Sequence, residues 1–180
     1  MASADDYAWV EADERLDAFC VTVVLGVDLD EVVARLGGDP STGTQASFAE
    51  SFNGAPDPRY ILAAELSSGV VVAENNGWWG VQDEVATRVS RAGALTAYYR
   101  SVNADMSFVH AVDGAVVASF DPLLDDVPDA LAADAAGLDF AGDIVVGASF
   151  ALLERLTGIR VEQRWLLDEP HLRVDLPSPY

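Results

Sequence analysis

The sequence predicts an α+β fold: a single domain with a mostly antiparallel sheet of five or six strands, flanked by helices. Three observations carry that reading. Strand-length β-branched runs follow one another between segments of helical spacing rather than alternating with them. Ser67-Ser68-Gly69 and Asp113-Gly114 each join two such runs as a hairpin. The 180 residues are 51% hydrophobic, enough for a real core, with no internal repeat and no dividing linker.

Taken in order, residues 5–17 are polar with Tyr7, Trp9, Val10 and Leu16 interspersed. They predict a short helix or turn whose aromatics dock on the body. Residues 19–26 are β-branched and closed by Gly26, which predicts a strand. In the following helix Asp28 is the N-cap, with Glu31 three residues on and acids in the first turn, where the helix dipole favours them. Leu29, Val32, Val33 and Leu36 form its apolar stripe, and Gly37 closes it. Residues 39–58 read as a Pro-, Gly-, Ser- and Thr-rich loop with a short helix over 44–52. Strands at 59–66 and 70–74 form the first hairpin, and 82–92 reads as an amphipathic helix ended by Gly93. Strands at 95–100, 107–112 and 115–120 follow. Residues 121–143 are rich in Asp, Pro and Ala, with at most partial helix. A helix at 148–156 is closed by Gly158, and the tail holds a short helix and a last strand near 172–175 before Pro177 and Pro179.

The charge limits the partners. The chain has ten basic residues, all arginine, against thirty acids, for a net charge of −20. Such a surface repels nucleic acid and anionic membrane and attracts basic proteins and cations. A GC-rich coding bias, adaptation to salt, or a surface meant for a cationic partner would each produce it. Between Arg100 and Arg155 there is no arginine but there are ten acids. Asp121, Asp125, Asp126, Asp129 and Asp134 are the predicted acidic face. Their spacing does not match the twelve-residue calcium loop, so they read as a solvated acidic stretch, and no metal or cofactor is expected. No apolar run is long enough to span a bilayer, and the acidic N-terminus lacks the pattern of a secretory signal. Cys20 is the single cysteine, so no internal disulfide forms. The expectation is a cytoplasmic protein.

Catalytic motifs are absent. Residues 38–44 have the glycine spacing of a phosphate loop but lack its lysine and follow a helix. There is no Gly-x-Ser-x-Gly and no His-Glu-x-x-His. His110 and His171 are far apart, and His110 lies within a strand, where a satisfied or half-exposed ring is expected. Cys20 sits in an apolar strand with nothing basic nearby and is expected to be a buried, unreactive thiol. The most distinctive string is Glu74-Asn75-Asn76-Gly77-Trp78-Trp79-Gly80. If the strand continues through it, one tryptophan faces the core and the other solvent. If the chain turns at Asn76-Gly77, both rings pack inward as a plug. Glu74, Asn75, Asn76, Trp78 and Trp79 are the candidate binding residues, since exposed tryptophans are typical interface anchors.

At this string and at residues 19–24 with the following helix, the chain resembles an uncharacterised domain family common in actinobacteria. The likeness extends to residues 101–104, 117–122 and 156–158. The resemblance implies a single domain and a GC-rich coding bias, and it carries over no activity. The expected function is non-enzymatic: a regulatory, antitoxin-like or immunity-like domain that binds another, basic, protein. The alternatives are a small enzyme or ligand-binding domain with its site around residues 74–80, and a polyanion mimic that occupies a nucleic-acid-binding groove.

Overall fold

The computed structural model describes residues 1–51 and 59–177, the side chain of Asp143 excepted. The strands are β1 (Phe19–Leu25), β2 (Thr44–Ala46), β3 (Tyr60–Leu66), β4 (Gly69–Asn75), β5 (Ala94–Arg100), β6 (Met106–Val112), β7 (Ala115–Phe120) and β8 (His171–Asp175). They form one antiparallel sheet in the order β2-β8-β3-β4-β1-β5-β6-β7. The sheet therefore has eight strands, not five or six. The correction lies at one edge. β2 is three residues of Thr, Gln and Ala with no apolar alternation, inside a stretch whose spacing predicts a helix. It is ordered by pairing with β8, and β8 in turn inserts beside β3. A pairing between positions so distant in sequence leaves no local pattern.

The period of two divides β1 between the faces. Phe19, Val21 and Val23 face one core, with Val71, Tyr98 and Phe108. Val24 faces the other, with Val72, Leu95, Ala97 and Val109. Both faces are covered, which is why β1 is apolar almost throughout. On the first face lie α1 (Ala8–Ala12) and α5 (Val145–Thr157), and the Tyr7, Phe19 and Tyr98 rings each lie about 6 Å or less from the ring of Phe150. On the second lie α2 (Leu29–Leu36) and α4 (Asp83–Val89), packed side by side. The short helices α3 (Phe48–Ser51) and α6 (Gln163–Leu167) sit against each other. The cap of α2 forms as expected: Asp28 accepts from Glu31 N at 2.9 Å, and Gly37 is left-handed at φ 97°.

Helix boundaries move by a few residues from the spacing-based expectation. α5 begins at Val145, and Gly147 lets its first turn meet the N-terminal turn; a Cβ there would lie 2.6 Å from Ala4 O. Residues 121–143 form no α-helix, only short hydrogen-bonded turns and the 3-10 turns Asp129–Leu131 and Gly142–Ile144. Their aspartates bond to local backbone instead: Asp121 accepts from Leu123 N at 2.8 Å and Asp139 from Ala141 N at 2.9 Å. Among the described residues no helix is long and apolar enough to cross a membrane.

Candidate functional site

The loop after β4 is built on its own buried acid. β4 ends at Asn75, opposite Phe19 of β1. Asn76 then turns the chain at φ 58° while its N–H donates to Ala18 O at 2.9 Å. The chain doubles back over β1 as the 3-10 turn Trp79–Val81. Beneath it, Glu74 Oε2 accepts from Trp79 N and Oε1 from Gly80 N, both at 2.9 Å. Glu74 is 1% exposed, so it holds the loop from inside and is not part of the surface. Burial raises its pKa, and the two amide bonds act against that rise. Two glycines admit this packing. A Cβ on Gly77 would lie 2.7 Å from Glu74 Cβ, and one on Gly80 would land on Thr22 Oγ1, 3.1 Å from Cys20 Sγ. Cys20 is fully buried under the turn. Burial first, and then the charge of Glu74, pushes its thiol well up, the opposite of what a nucleophile needs.

The two tryptophans part company. Trp79 packs against the second core, with the Arg59 guanidinium 5.5 Å from its ring centroid. Trp78 is 52% exposed. The division expected of a continuing strand is present, but it arises from a turn.

Below this loop, the antiparallel register gathers three chain segments at one end of the sheet. Phe19 pairs with both Asn75 and Arg100, so the residues next to each become neighbours. They surround a cleft of about 530 Å³. Ala49 and Val102 supply apolar wall above the buried Phe48, and Asn75 and Asn76 supply amides. The Asn75 amide donates to Phe48 O at 3.4 Å, which ties β4 to α3. Glu14, Arg15 and Asp17 form the charged rim. Sequence pattern brings Asn75 and Asn76 to notice but not Glu14, Asp17 or Val102, because only strand register makes those neighbours.

The acidic face is ordered but is a separate feature. Leu131 and Ala135 bury under it, and Arg155 pins it through the carbonyls of Asp134 and Ala136 at 2.7 and 2.9 Å. Asp121 and Asp134 are half-buried, while Asp125, Asp126 and Asp129 are exposed. Asp125 accepts from Asp121 N at 2.9 Å. Among the described residues none of these acids joins an ion pair. The arginines are engaged elsewhere: Arg35 and Arg100 with glutamates, Arg160 with Asp6, and Arg88 with a carbonyl.

The histidines stand apart from the cleft. His110 Nδ1 lies 2.9 Å from Thr96 Oγ1, and His171 Nε2 lies 2.7 Å from Trp165 O. Burial lowers both pKa values. In the phosphate-loop-like stretch, Asp39 fills the turn with its own carboxylate, accepting from Ser41 N at 2.9 Å. Among the described residues no group of three or more His, Cys, Asp or Glu is placed to hold a metal ion.

A family profile matches residues 1–174, nearly the whole chain. The chain belongs to DUF6461, a family of unknown function. Comparison with curated proteins and with solved structures gives no match.

Proposed function

We propose that this member of DUF6461 is a non-enzymatic domain that binds a cationic protein, in the manner of a regulatory, antitoxin-like or immunity-like partner. Trp78 carries the reading. It is a large ring, 52% exposed, on a loop whose backbone is fixed from inside by Glu74. A rigidly presented tryptophan loses little conformational freedom on binding, which is what an interface anchor requires. The acids between Asp105 and Asp139, which join no ion pair among the described residues, supply the long-range attraction. The alternative is a small-ligand site, favoured by the volume of the 530 Å³ cleft beside the loop.

The paired variants Trp78→Ala and Trp79→Ala test the proposal in thermal melts and in capture of partners from the native host. Trp78→Ala should leave the melting temperature nearly unchanged and weaken capture by about 2 kcal/mol or more. Trp79→Ala removes a half-buried ring and should cost about 2–4 kcal/mol of stability. Undiminished capture by a folded Trp78→Ala variant would sink the reading.

A further inference from the structure

We propose that the cleft between the β1–β4–β5 end of the sheet and α3 takes the side chain of an arginine presented by the partner protein. This inference rests on the protein-binding reading and names what the cleft at Asn75 and Asn76 grips. The charge in the cleft is one-sided. Arg15 is already neutralised: Nε and Nη2 donate to Asp13 at 2.8 and 2.7 Å, and Nη1 donates to Asp168 at 2.8 Å. Glu14 and Asp17 are exposed, and among the described residues neither carboxylate takes part in a hydrogen bond or an ion pair. The rim is thus uncompensated and negative, while the wall is apolar. Val102 is 71% exposed at its edge, an aliphatic side chain with little cover.

An occupant needs an apolar stem and a cationic head, and it must come to a chain of net charge −20. Arginine meets these conditions. Its methylene stem lies along apolar wall while its head stays at the wet rim. Its planar fork of N–H donors can serve two carboxylates and an amide oxygen such as that of Asn76 together. It is also more weakly hydrated than a lysine ammonium, so entering a partly apolar cleft costs it less. The cleft is larger than one side chain, which leaves room for the flanking residues of an extended segment.

The probe is a blocked tripeptide with arginine between two valines. It is titrated into the full chain at physiological salt and followed by backbone amide NMR shifts. Shifts should concentrate at residues 14–18, 48–49, 75–76 and 102. Affinity should fall about tenfold in Glu14→Gln/Asp17→Asn and stay unchanged in Asp30→Asn/Glu65→Gln, which removes the same charge from exposed positions outside the cleft and the acidic face. The citrulline counterpart, equal in shape but uncharged, should not bind. No shifts, shifts spread over residues 121–139, equal loss in both double variants, or equal binding of the citrulline peptide would each overturn the proposal. The two readings fail separately. A failed titration with Trp78-dependent capture intact removes only the arginine site. Failed capture with the titration intact removes the protein partner and leaves a site that takes guanidinium groups.

Discussion

Glu74 is the residue on which the loop depends, and its protonation gives a test. Two opposing effects act on it. Burial favours the neutral acid, and two amide donors favour the carboxylate; burial wins, so its folded pKa lies above the ordinary value. The sign follows by linkage. The folded state holds this proton more tightly than the unfolded chain does. The stability contributed is therefore full below the unfolded pKa and is lost as pH rises through the folded one. Other acids run the opposite way: Ser3 and Arg160 hold Asp6 at about 2, which gives stability that is lost as pH falls. Comparison with Glu74→Gln isolates the one group. The variant turns one acceptor into a donor facing an amide, a loss of about 1–3 kcal/mol that does not vary with pH. Wild type should therefore exceed the variant most at acid pH, and the gap should narrow as pH rises. Chemical denaturation from mildly acid to neutral pH measures it, and a gap that widens with pH would show that the amides outweigh burial.

At the scale of elements, the turn Trp79–Val81 and strand β1 are one packed unit. Gly80 has no room for a side chain because Thr22 Oγ1 occupies the space, so Gly80→Ala must move either the turn or the strand. Overpacking of this kind costs about 1–3 kcal/mol. If the clash with Thr22 is the cause, Thr22→Ala should restore part of the loss, and a double-mutant cycle should show coupling of about 0.5 kcal/mol or more. Additive effects would refute direct packing of the turn on β1. This contact also marks the limit of what the sequence reveals. Asp28 and Gly37 announce α2 at both ends, and Asp113-Gly114 announces the β6–β7 hairpin, because capping and turn chemistry are local. Gly77 and Gly80 read as turn residues, yet their role is to admit Glu74 and Thr22, whose positions depend on the fold. Likewise the pattern makes Trp78 and Trp79 point apart for the wrong reason, since β4 stops at Asn75. The cleft residues Glu14, Asp17 and Val102 carry no local signal, because strand register alone assembles them.

Over the whole molecule, electrostatics set the working conditions. The net charge of −20 already counts the ten arginines, and these are engaged mainly in contacts within the fold, such as Arg15 with Asp13 and Asp168, so most carboxylates have no ion-pair partner among the described residues. Added salt acts on two populations. It weakens the exposed ion pairs, each worth only about 0–1 kcal/mol. It also screens repulsion among many unpaired carboxylates over a Debye length that falls to about 8 Å at physiological ionic strength. Repulsion involves far more pairs, so the melting temperature should rise with sodium chloride and level off once the screening length approaches contact distances. The acidic face gives the internal control. Asp126 and Asp129 are exposed and join no ion pair among the described residues, so Asp126→Asn/Asp129→Asn should raise the melting temperature at low salt. In about 1 M salt, where the Debye length is near 3 Å, that gain should vanish. A gain that persists in high salt would assign it to local backbone effects, and a melting temperature that stays flat or falls with salt would show that the ion pairs outweigh the repulsion. If both expectations hold, the unpaired acids destabilise the free protein, and a cationic partner that neutralises them gains affinity by relieving that repulsion.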